Sequence, residues 1–494
     1  MNILLVYPKV SETFWSFTHA LKIVGRKAAF PPLGALTVAA MLPKEWNLRL
    51  VDMNVEPLRE HHIRWADYVW ISAMVVQRPS TEKVIEMAHA LGRKVVGGGP
   101  LFLCFHQEFP QVDHLILGEG EALIPEFVED LAGGRARRIY QSDEHPDLTN
   151  TPIPAWDLIK MDRYATMSVQ YSRGCPYDCE FCDIIVMNGR RPRTKSNEQM
   201  IEELEALYKR GWRGSVFIVD DNFIGHKRRV KSLLRDVVSW QAARGYPFSF
   251  FTEASVDLAD DEELMDLMVE AGFNKVFLGL ETPEEESLKE CGKYQNLKRS
   301  LSESVRRIHE HGLAVMGGFI IGFDHDKPDI FKKQFEFIQE NGIVTAMIGL
   351  LTAIPTTRLY KRLQKEGRLL FDPTGDNTDE RGTLNFVTRL DRKWIIEQYN
   401  KLMKKAYEPG NYYRRIYRFL ETYRPRAKSK VLLCDVIAFL RSIWFLGIRD
   451  RRGLKRLYWK SLVKTLLKYP RSFVFTVTYA IYGYHFRKLF WESR

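Results

Sequence analysis

Cysteine is scarce in this chain of 494 residues, with six in all, at positions 104, 175, 179, 182, 291 and 434. Only the central three lie together, so no disulfide framework across the chain is expected and a reducing compartment is favoured. Long apolar runs are missing too. The stretches 431–439 and 473–482 both fall short of the ~20 residues that a spanning helix needs. The opening MNILLVYPKV has no basic segment ahead of its apolar residues, so signal-peptide architecture is lacking and a cytoplasmic location is expected. No H-E-x-x-H motif and no evident Ser/His/Asp set is present, which leaves hydrolytic chemistry without its usual parts. Acidic residues thin out at one end. From Asn411 onward there are 20 Lys/Arg against 4 Asp/Glu, a balance of +16 in a chain whose net charge is +11, so residues 1–410 carry −5. A mildly acidic body speaks against a general nucleic-acid-binding surface. Apolar content of 45% and charged content of 27% exclude disorder, and the length suits two or three domains.

What is present is concentrated in residues 170–193, QYSRGCPYDCEFCDIIVMNGRRPR. Cys175, Cys179 and Cys182 stand at C-x3-C-x2-C spacing on a short loop that a predicted strand enters and a Gly/Arg/Pro-rich segment leaves. Soft thiolates gathered this closely bind zinc or an iron–sulfur cluster. Structural zinc sites draw four ligands as two separated pairs, and no fourth Cys or His lies within the loop. A cubane held by three thiolates keeps one iron open for a substrate or cofactor. A zinc knuckle and a disulfide knot are the other readings.

Residues 1–140 alternate predicted strands (2–7, 48–52, 67–72, 94–97, 113–117) with predicted helices (33–42, 81–91, 122–131). That alternation implies an α/β domain with a doubly wound parallel sheet, whose ligands sit beyond the carboxyl ends of the strands. Polar and glycine-rich text falls there: Asp52 and Asn54; Ser72, Met74 and Gln77; Gly97, Gly98 and Gly99; Gly118 and Glu119. Glycine lets a backbone approach a bulky ligand closely, although each stretch alone is a weak signal and GGGP at 97–100 by itself reads more readily as a plain turn. A degenerate Rossmann-like domain that binds nothing is the bland alternative. Turn-rich residues 141–166 read as a linker.

Over 167–390 the alternation resumes, with strands at 167–171, 214–220, 248–254, 275–281, 314–321 and 345–351 and helices at 198–209, 227–243, 260–271, 296–311 and 330–341. Six βα units make a partial parallel barrel with its chemistry at the carboxyl ends of the strands. Asp220, Glu253, Ser255 and Glu281 fall at those ends, and Gly318 lies in a glycine-rich strand. Asp221 can equally cap the following helix, Glu281 can pair with a barrel lysine such as Lys275, and Cys291 reads as an ordinary cysteine. Loop-rich text runs over 366–410, with DPTGDNTDERGTLNF at 372–386, and is expected to cover the barrel mouth. Residues 391–494 form a basic helical extension in which Arg456, Lys460, Lys464 and Lys468 recur every four residues, with Leu454, Leu457, Tyr458, Leu462 and Leu466 on the other faces. Such helices suit an anionic membrane surface; docking on the protein's own barrel is the alternative. Nucleic-acid binding is disfavoured, since no recognised module accompanies the charge.

The whole order resembles the cobalamin-dependent (class B) radical S-adenosylmethionine (SAM) methylases, and in layout the hopanoid C-2 methylase-like subgroup with a basic C-terminal extension. FPPLG at 30–34, QYSRGC at 170–175, VDDNFIG at 219–225 and GFIIGFD at 318–324 carry the resemblance. It implies a 4Fe-4S cluster on Cys175, Cys179 and Cys182, with SAM on the open iron and Phe181 near its adenine. Asp220, Glu253, Ser255 and Glu281 become candidates for the ribose and methionine ends of SAM, and Gly318 for the adenine. Cobalamin is implied in the first domain, at Asp52, Asn54, Ser72, Met74, Gln77, Gly97, Gly98, Gly99, Gly118 and Glu119. The usual D-x-H-x-x-G motif would put histidine at 54 and glycine at 57. Asn54 and Pro57 stand there, so the corrinoid is expected base-off and His-off. The implied reaction is radical methylation of an unactivated carbon on a hydrophobic small molecule, such as a polycyclic lipid. An electron donor such as flavodoxin or ferredoxin, and peripheral contact with the inner face of the membrane, go with it. A non-methylating rearrangement or cyclisation shares the same parts. A tRNA methylthiotransferase-like enzyme would need three cysteines in the first domain, where Cys104 is alone, and a corrinoid-responsive sensor would not need the intact trio.

Overall fold

The structure is a computed structural model that describes every residue except Lys298, Asn377, 379–382, 429–430 and 493–494; part of the cover expected over 366–410 therefore lies outside the described residues. The first sheet is built from β1 (Asn2–Tyr7), β2 (Asn47–Asp52), β3 (Tyr68–Ser72), β4 (Lys94–Gly98), β5 (His114–Leu117) and β6 (Ile139–Gln141), all parallel in the order β2-β1-β3-β4-β5-β6. Its helices are α1 (Thr18–Val24), α2 (Leu33–Met41), α3 (Glu60–Trp65), α4 (Arg78–Ala90), α5 (Pro100–Phe105) and α6 (Gly120–Ala132). Ile3, Leu4, Leu5 and Val6 are all buried, because helices cover both faces of the sheet and each side chain of β1 meets one of them. The sequence pattern does not reveal α1, α3, α5 or β6. The helices among them span 6 or 7 residues, under two turns, too few for an amphipathic period to register.

The second sheet contains β7 (Met167–Val169), β10 (Gly214–Ile218), β11 (Phe248–Ala254), β12 (Phe273–Glu281), β13 (Ala314–Ile321) and β14 (Ala346–Leu350), parallel and in the order β14-β13-β12-β11-β10-β7. Between β7 and β10 run β8 (Ser172–Arg173), α7 (Ile184–Met187), β9 (Arg193–Thr194) and α8 (Asn197–Lys209), with β8 and β9 forming a small antiparallel pair. The later helices are α9 (Lys227–Ala243), α10 (Glu262–Ala271), α11 (Glu285–Glu290), α12 (Tyr294–Leu297), α13 (Leu301–Glu310), α14 (Ile330–Glu340) and α15 (Arg358–Lys365). The sheet ends at β7 and β14 without their pairing, so the barrel is open. Along β11, buried Phe248, Phe250, Thr252 and Ala254 alternate with half-buried Ser249, Phe251 and Glu253. One face therefore packs under the helices and the other lines the lumen.

The extension comprises α16 (Arg392–Ala406), α17 (Pro409–Thr422), α18 (Leu433–Ser442), α19 (Arg452–Lys468) and α20 (Phe473–Phe486). Helix α16 corrects the loop-rich reading of 366–410. The Asp391 side chain caps it by accepting from the Trp394 N–H at 2.7 Å, and Ile395, Tyr399, Leu402, Met403 and Ala406 are buried at helical spacing, a stripe that five basic residues in the same helix had masked. Three contacts anchor the extension. The buried Arg415 donates to Gln339 Oε1 at 3.0 Å and to two carbonyls, His309 faces Thr422 at 3.2 Å, and His485 meets the Phe14 carbonyl at 3.3 Å.

Candidate functional site at the facing carboxyl edges

The cysteine loop is pinned at its base. β8 and β9 pair Ser172 with Thr194 and Arg173 with Arg193. Gly174 follows with φ +96°, and a Cβ there would lie 3.0 Å from the carbonyl oxygens of Asn188, Gly189 and Arg191, so only glycine fits this turn. Cys179 is buried, and Cys175 and Cys182 are partly so. Burial pushes all three thiols above their ordinary range, while the Lys293 ammonium acts in the opposite sense on each. Lys293, its side chain only 12% exposed, donates to Glu281 Oε1 at 2.6 Å. Glu281 takes a left-handed backbone (φ +61°) where β12 shifts register against β13, a strained conformation of the kind that gathers at functional sites. Lys275, the partner expected for Glu281 from the sequence, instead stands over the Phe251 ring at 4.9 Å. Cys291 is buried and directs its thiol at the Leu288 carbonyl.

The strand-end residues divide by what they touch. Asp220 accepts from the Tyr171 N–H at 2.7 Å, the Ser172 N–H at 2.8 Å and the Ser172 hydroxyl at 2.6 Å, and burial lifts its pKa to about 7. Asp221 accepts from the Gly174 N–H at 2.7 Å and Asn188 Nδ2 at 2.9 Å, so it holds the cysteine loop rather than capping a helix. Asn222 donates to Ser255 Oγ at 3.1 Å and lies 3.9 Å from Cys175 Sγ. Glu253 differs, having no hydrogen-bond or ion-pair partner among the described residues. Burial first, and then the Asp221 charge, raise it to about 7 against the pull of Lys293. Phe181 stands 6.2 Å from the Phe323 ring, and the Phe277 ring lies over Gly318, within 2.8 Å of where a Cβ would be. Asn222 and Lys293 were missed in the sequence. Asn222 sits beside two carboxylates in VDDNF and was overshadowed by them, while Lys293 lies in a loop with no local signal.

On the first sheet, Asp52 accepts from Asn54 N–H at 2.9 Å, Asn54 Nδ2 at 2.8 Å and the Tyr164 hydroxyl at 2.9 Å. Asn54 also accepts from the Val10 N–H at 2.9 Å. Gln77 accepts from the Met74 N–H at 2.8 Å and donates to the Pro8 carbonyl at 2.5 Å, while the Met74 side chain is 39% exposed and Ser72 pairs with Gly98 across the strands. Gly97 underlies the Phe102 ring, and a Cβ on Gly98 would meet nothing nearer than 3.6 Å. Gly99 (φ +92°) runs 2.9 Å from the Ala73 carbonyl at its missing Cβ, and Gly118 (φ +145°) packs on the Ser142 carbonyl. Glu119 faces the other sheet: it accepts from Arg173 at 2.6 Å and Arg193 at 2.5 Å and meets His145 at 3.1 Å. Glu121 pairs with Arg173 at 2.8 Å. His145 also approaches Gly189, and Gly375 packs on Val75 and Val76. The carboxyl edges of the two sheets are thus locked face to face, each one the ligand-binding edge of a parallel sheet.

Comparison with known proteins gives the family. The Radical SAM superfamily matches residues 169–338, the B12 binding domain residues 23–128, and a domain of unknown function (DUF4070) residues 357–494. The hopanoid C-2 methylase of Rhodopseudomonas palustris is 36% identical over 94% of this chain and 90% of its own length. The chain belongs to the cobalamin-dependent radical SAM methylases. An uncharacterized methyltransferase of Synechocystis sp. is 45% identical to this methylase over 98% of the chain and 91% of its own. The radical SAM methyltransferase TsrM of Kitasatospora setae, solved with cobalamin and a [4Fe-4S] cluster, shares the fold at 15% identity and TM-score 0.65, covering 93% of this chain and 98% of that one.

The donor chemistry of this methylase fits its cofactors. The Lys293 ammonium acts on all three thiols and favours the thiolate of each, which suits an anionic iron–sulfur cube. At the facing edge, exposed Met74 and the side-chain-free backbone of Gly97, Gly98 and Gly99 suit the approach of a flat macrocycle.

Proposed function

We propose that this methylase transfers a methyl group to an unactivated carbon of a hydrophobic substrate of the polycyclic-lipid class, held in the barrel lumen. The observation that supports it is an aromatic lining. Phe217 and Phe251 stack in parallel at 4.6 Å, Phe30 adds its ring 5.5 Å from Phe217, and Trp15 stands edge-on to Phe277 at 5.3 Å. All five rings are only half-buried; Phe217, Phe251 and Phe277 stand on β10, β11 and β12, and Phe30 and Trp15 reach them from the segments flanking α1. Apolar ring surface left only partly covered favours an apolar ligand.

When bound, the cluster with SAM supplies hydrogen abstraction, and methylcobalamin supplies the methyl group. The chain's own work is to bind, orient and exclude water. Cys175, Cys179 and Cys182 would hold the cluster, with Phe181 near the adenine. Glu253 and Ser255 would meet the methionine and ribose ends of SAM, and Glu281 would act through Lys293. Asp220 and Asp221 hold the loop by its backbone. Asp52, Asn54, Ser72, Met74, Gln77 and the glycines at 97–99 and 118 would cradle a corrinoid that is base-off and His-off, since Asn54 offers no imidazole. We keep the division into 1–140, 141–166, 167–390 and 391–494, an external donor such as flavodoxin or ferredoxin, and a cytoplasmic enzyme in peripheral contact with the inner membrane face.

The test is anaerobically reconstituted enzyme given methyl-labelled SAM and a bacterial lipid extract. Label in a polycyclic lipid is expected. Label confined to a water-soluble product would end the lipid reading.

A further inference from the structure

The extension turns its greasy side outward. In α18 and the wider helical turn that continues it (Ile443–Ile448), Leu433, Val436, Ile437, Leu440, Trp444 and Ile448 recur at helical spacing. All six are exposed, Leu433 by 76%. The opposite side of this rod carries the buried Ser442 and Leu446, so it is an amphipathic helix with its apolar stripe in water. Helix α19 repeats the pattern, with Trp459, Val463, Leu466 and Leu467 exposed on one stripe and Leu467 exposed by 79%. The two stripes adjoin, for the Trp459 indole lies on Gly447 and donates to its carbonyl at 3.1 Å. Of the 21 large apolar residues exposed among the described residues, 12 fall within 431–474.

Charge frames this surface. Residues 431–474 hold ten Lys/Arg and two acids, Asp435 and Asp450. Asp450 is paired to Arg487 at 2.7 Å and Asp435 caps the Leu432 N–H at 2.8 Å. Arg449, Arg451, Arg452, Arg456, Lys460 and Lys468 are exposed around the stripes. No helix among the described residues is long and apolar enough to cross a membrane.

We propose that α18, its continuation and α19 form one docking face for an anionic lipid bilayer, lying in the headgroup layer with the apolar stripes down. Apolar stripes rimmed by lysine and arginine, with tryptophans among them, match such an interface and not a neutral one. The face adjoins the aromatic lumen. Helix α18 packs on α1, the chain before α1 carries Trp15 and the chain after it Phe30, and the Leu432 side chain lies at Gly214, where β10 begins. Docking therefore turns the amino ends of the barrel strands towards the lipid. This orientation gives the lipid substrate proposed above a way in and rests on that reading in this respect only.

Flotation of the full-length holoenzyme with vesicles of equal phosphatidylglycerol and phosphatidylcholine tests the face without any substrate. Binding is expected, weakened at least tenfold by 0.5 M salt or by pure phosphatidylcholine vesicles, with a blue shift of tryptophan emission. The Leu440→Glu/Leu467→Glu variant should lose at least tenfold in binding while keeping its circular dichroism and its iron and corrinoid content. No flotation of the wild type would overturn the proposal, as would an undiminished variant. A wild-type dimer that the variant converts to monomer, without vesicle binding by either, would reassign the face to a second copy of this chain. Because methylation plays no part in the readout, failure of the lipid-substrate reading would leave this result standing.

Discussion

Glu253 shows most directly how burial sets chemistry at a single residue. Without a partner among the described residues, its carboxyl is lifted to about 7, so near neutrality it is shared between acid and carboxylate. In the SAM site proposed above, the cationic groups of SAM would face the carboxylate, and acidification would remove a binding group. KM for SAM is expected to rise as pH falls from 8 to 6, approaching tenfold per unit once well below the pKa. Glu253→Gln should bind SAM weakly and without that slope; equal slopes in both proteins would remove Glu253 from the site. For the cluster, Cys179→Ala is expected to reduce iron and sulfide to background after anaerobic reconstitution. A variant that kept its full iron would end the assignment of the three thiols.

Among the elements, the decisive one is the cysteine loop, and it is held by neighbours more than by itself. Asp220 and Asp221 at the end of β10 accept four backbone or side-chain donors from 171–174, so the loop's shape is set by the strand beside it. Gly174→Ala would force a left-handed turn on a residue with a side chain and drive its Cβ against three carbonyl oxygens. Cluster incorporation, read from iron content, is expected to fall while the rest of the fold keeps its circular dichroism. Arg173 lies between Glu119 and Glu121 with the three side chains exposed by only 14%, 8% and 4%. Removing Arg173 strands the Glu121 carboxylate, whereas Glu119 keeps Arg193 at 2.5 Å, which places the loss at roughly 3 kcal/mol, the lower end for a broken buried pair. Arg173→Met should lower the denaturation free energy by that order. An unchanged midpoint would mean that the two sheets are held together elsewhere.

For the whole molecule, two neutral histidines fasten the extension to the body. Burial depresses His309 to about 3 and His485 to about 4. The unfolded chain takes up protons near pH 6.5 while the folded one does not, so stability is full above that pH and is lost as the solution is acidified. At pH 5 each histidine costs about 2 kcal/mol relative to neutrality. Denaturant midpoints are expected to drop between pH 7 and pH 5, and the drop should shrink by about half in His309→Gln. An undiminished drop would place the acid sensitivity in carboxylates instead.

The sequence by itself determined the two parallel sheets, the three cysteines and the basic tail, because each is written in local text: strand–helix alternation, a tight cysteine spacing and a four-residue charge period. It also named the strand-end residues, since a parallel sheet puts its loops at one edge whatever the details. Tertiary structure alone decided what those residues do. Asp220 turned out to grip the backbone, Glu119 to clamp one sheet to the other, and Lys293 to enter the site from a loop no pattern marks. The same holds for the outward apolar face of α18 and α19, whose periodicity reads as an ordinary buried stripe. Spacing along a chain says which side chains share a face, but only the packing of the other elements says whether that face meets protein, cofactor or open surroundings.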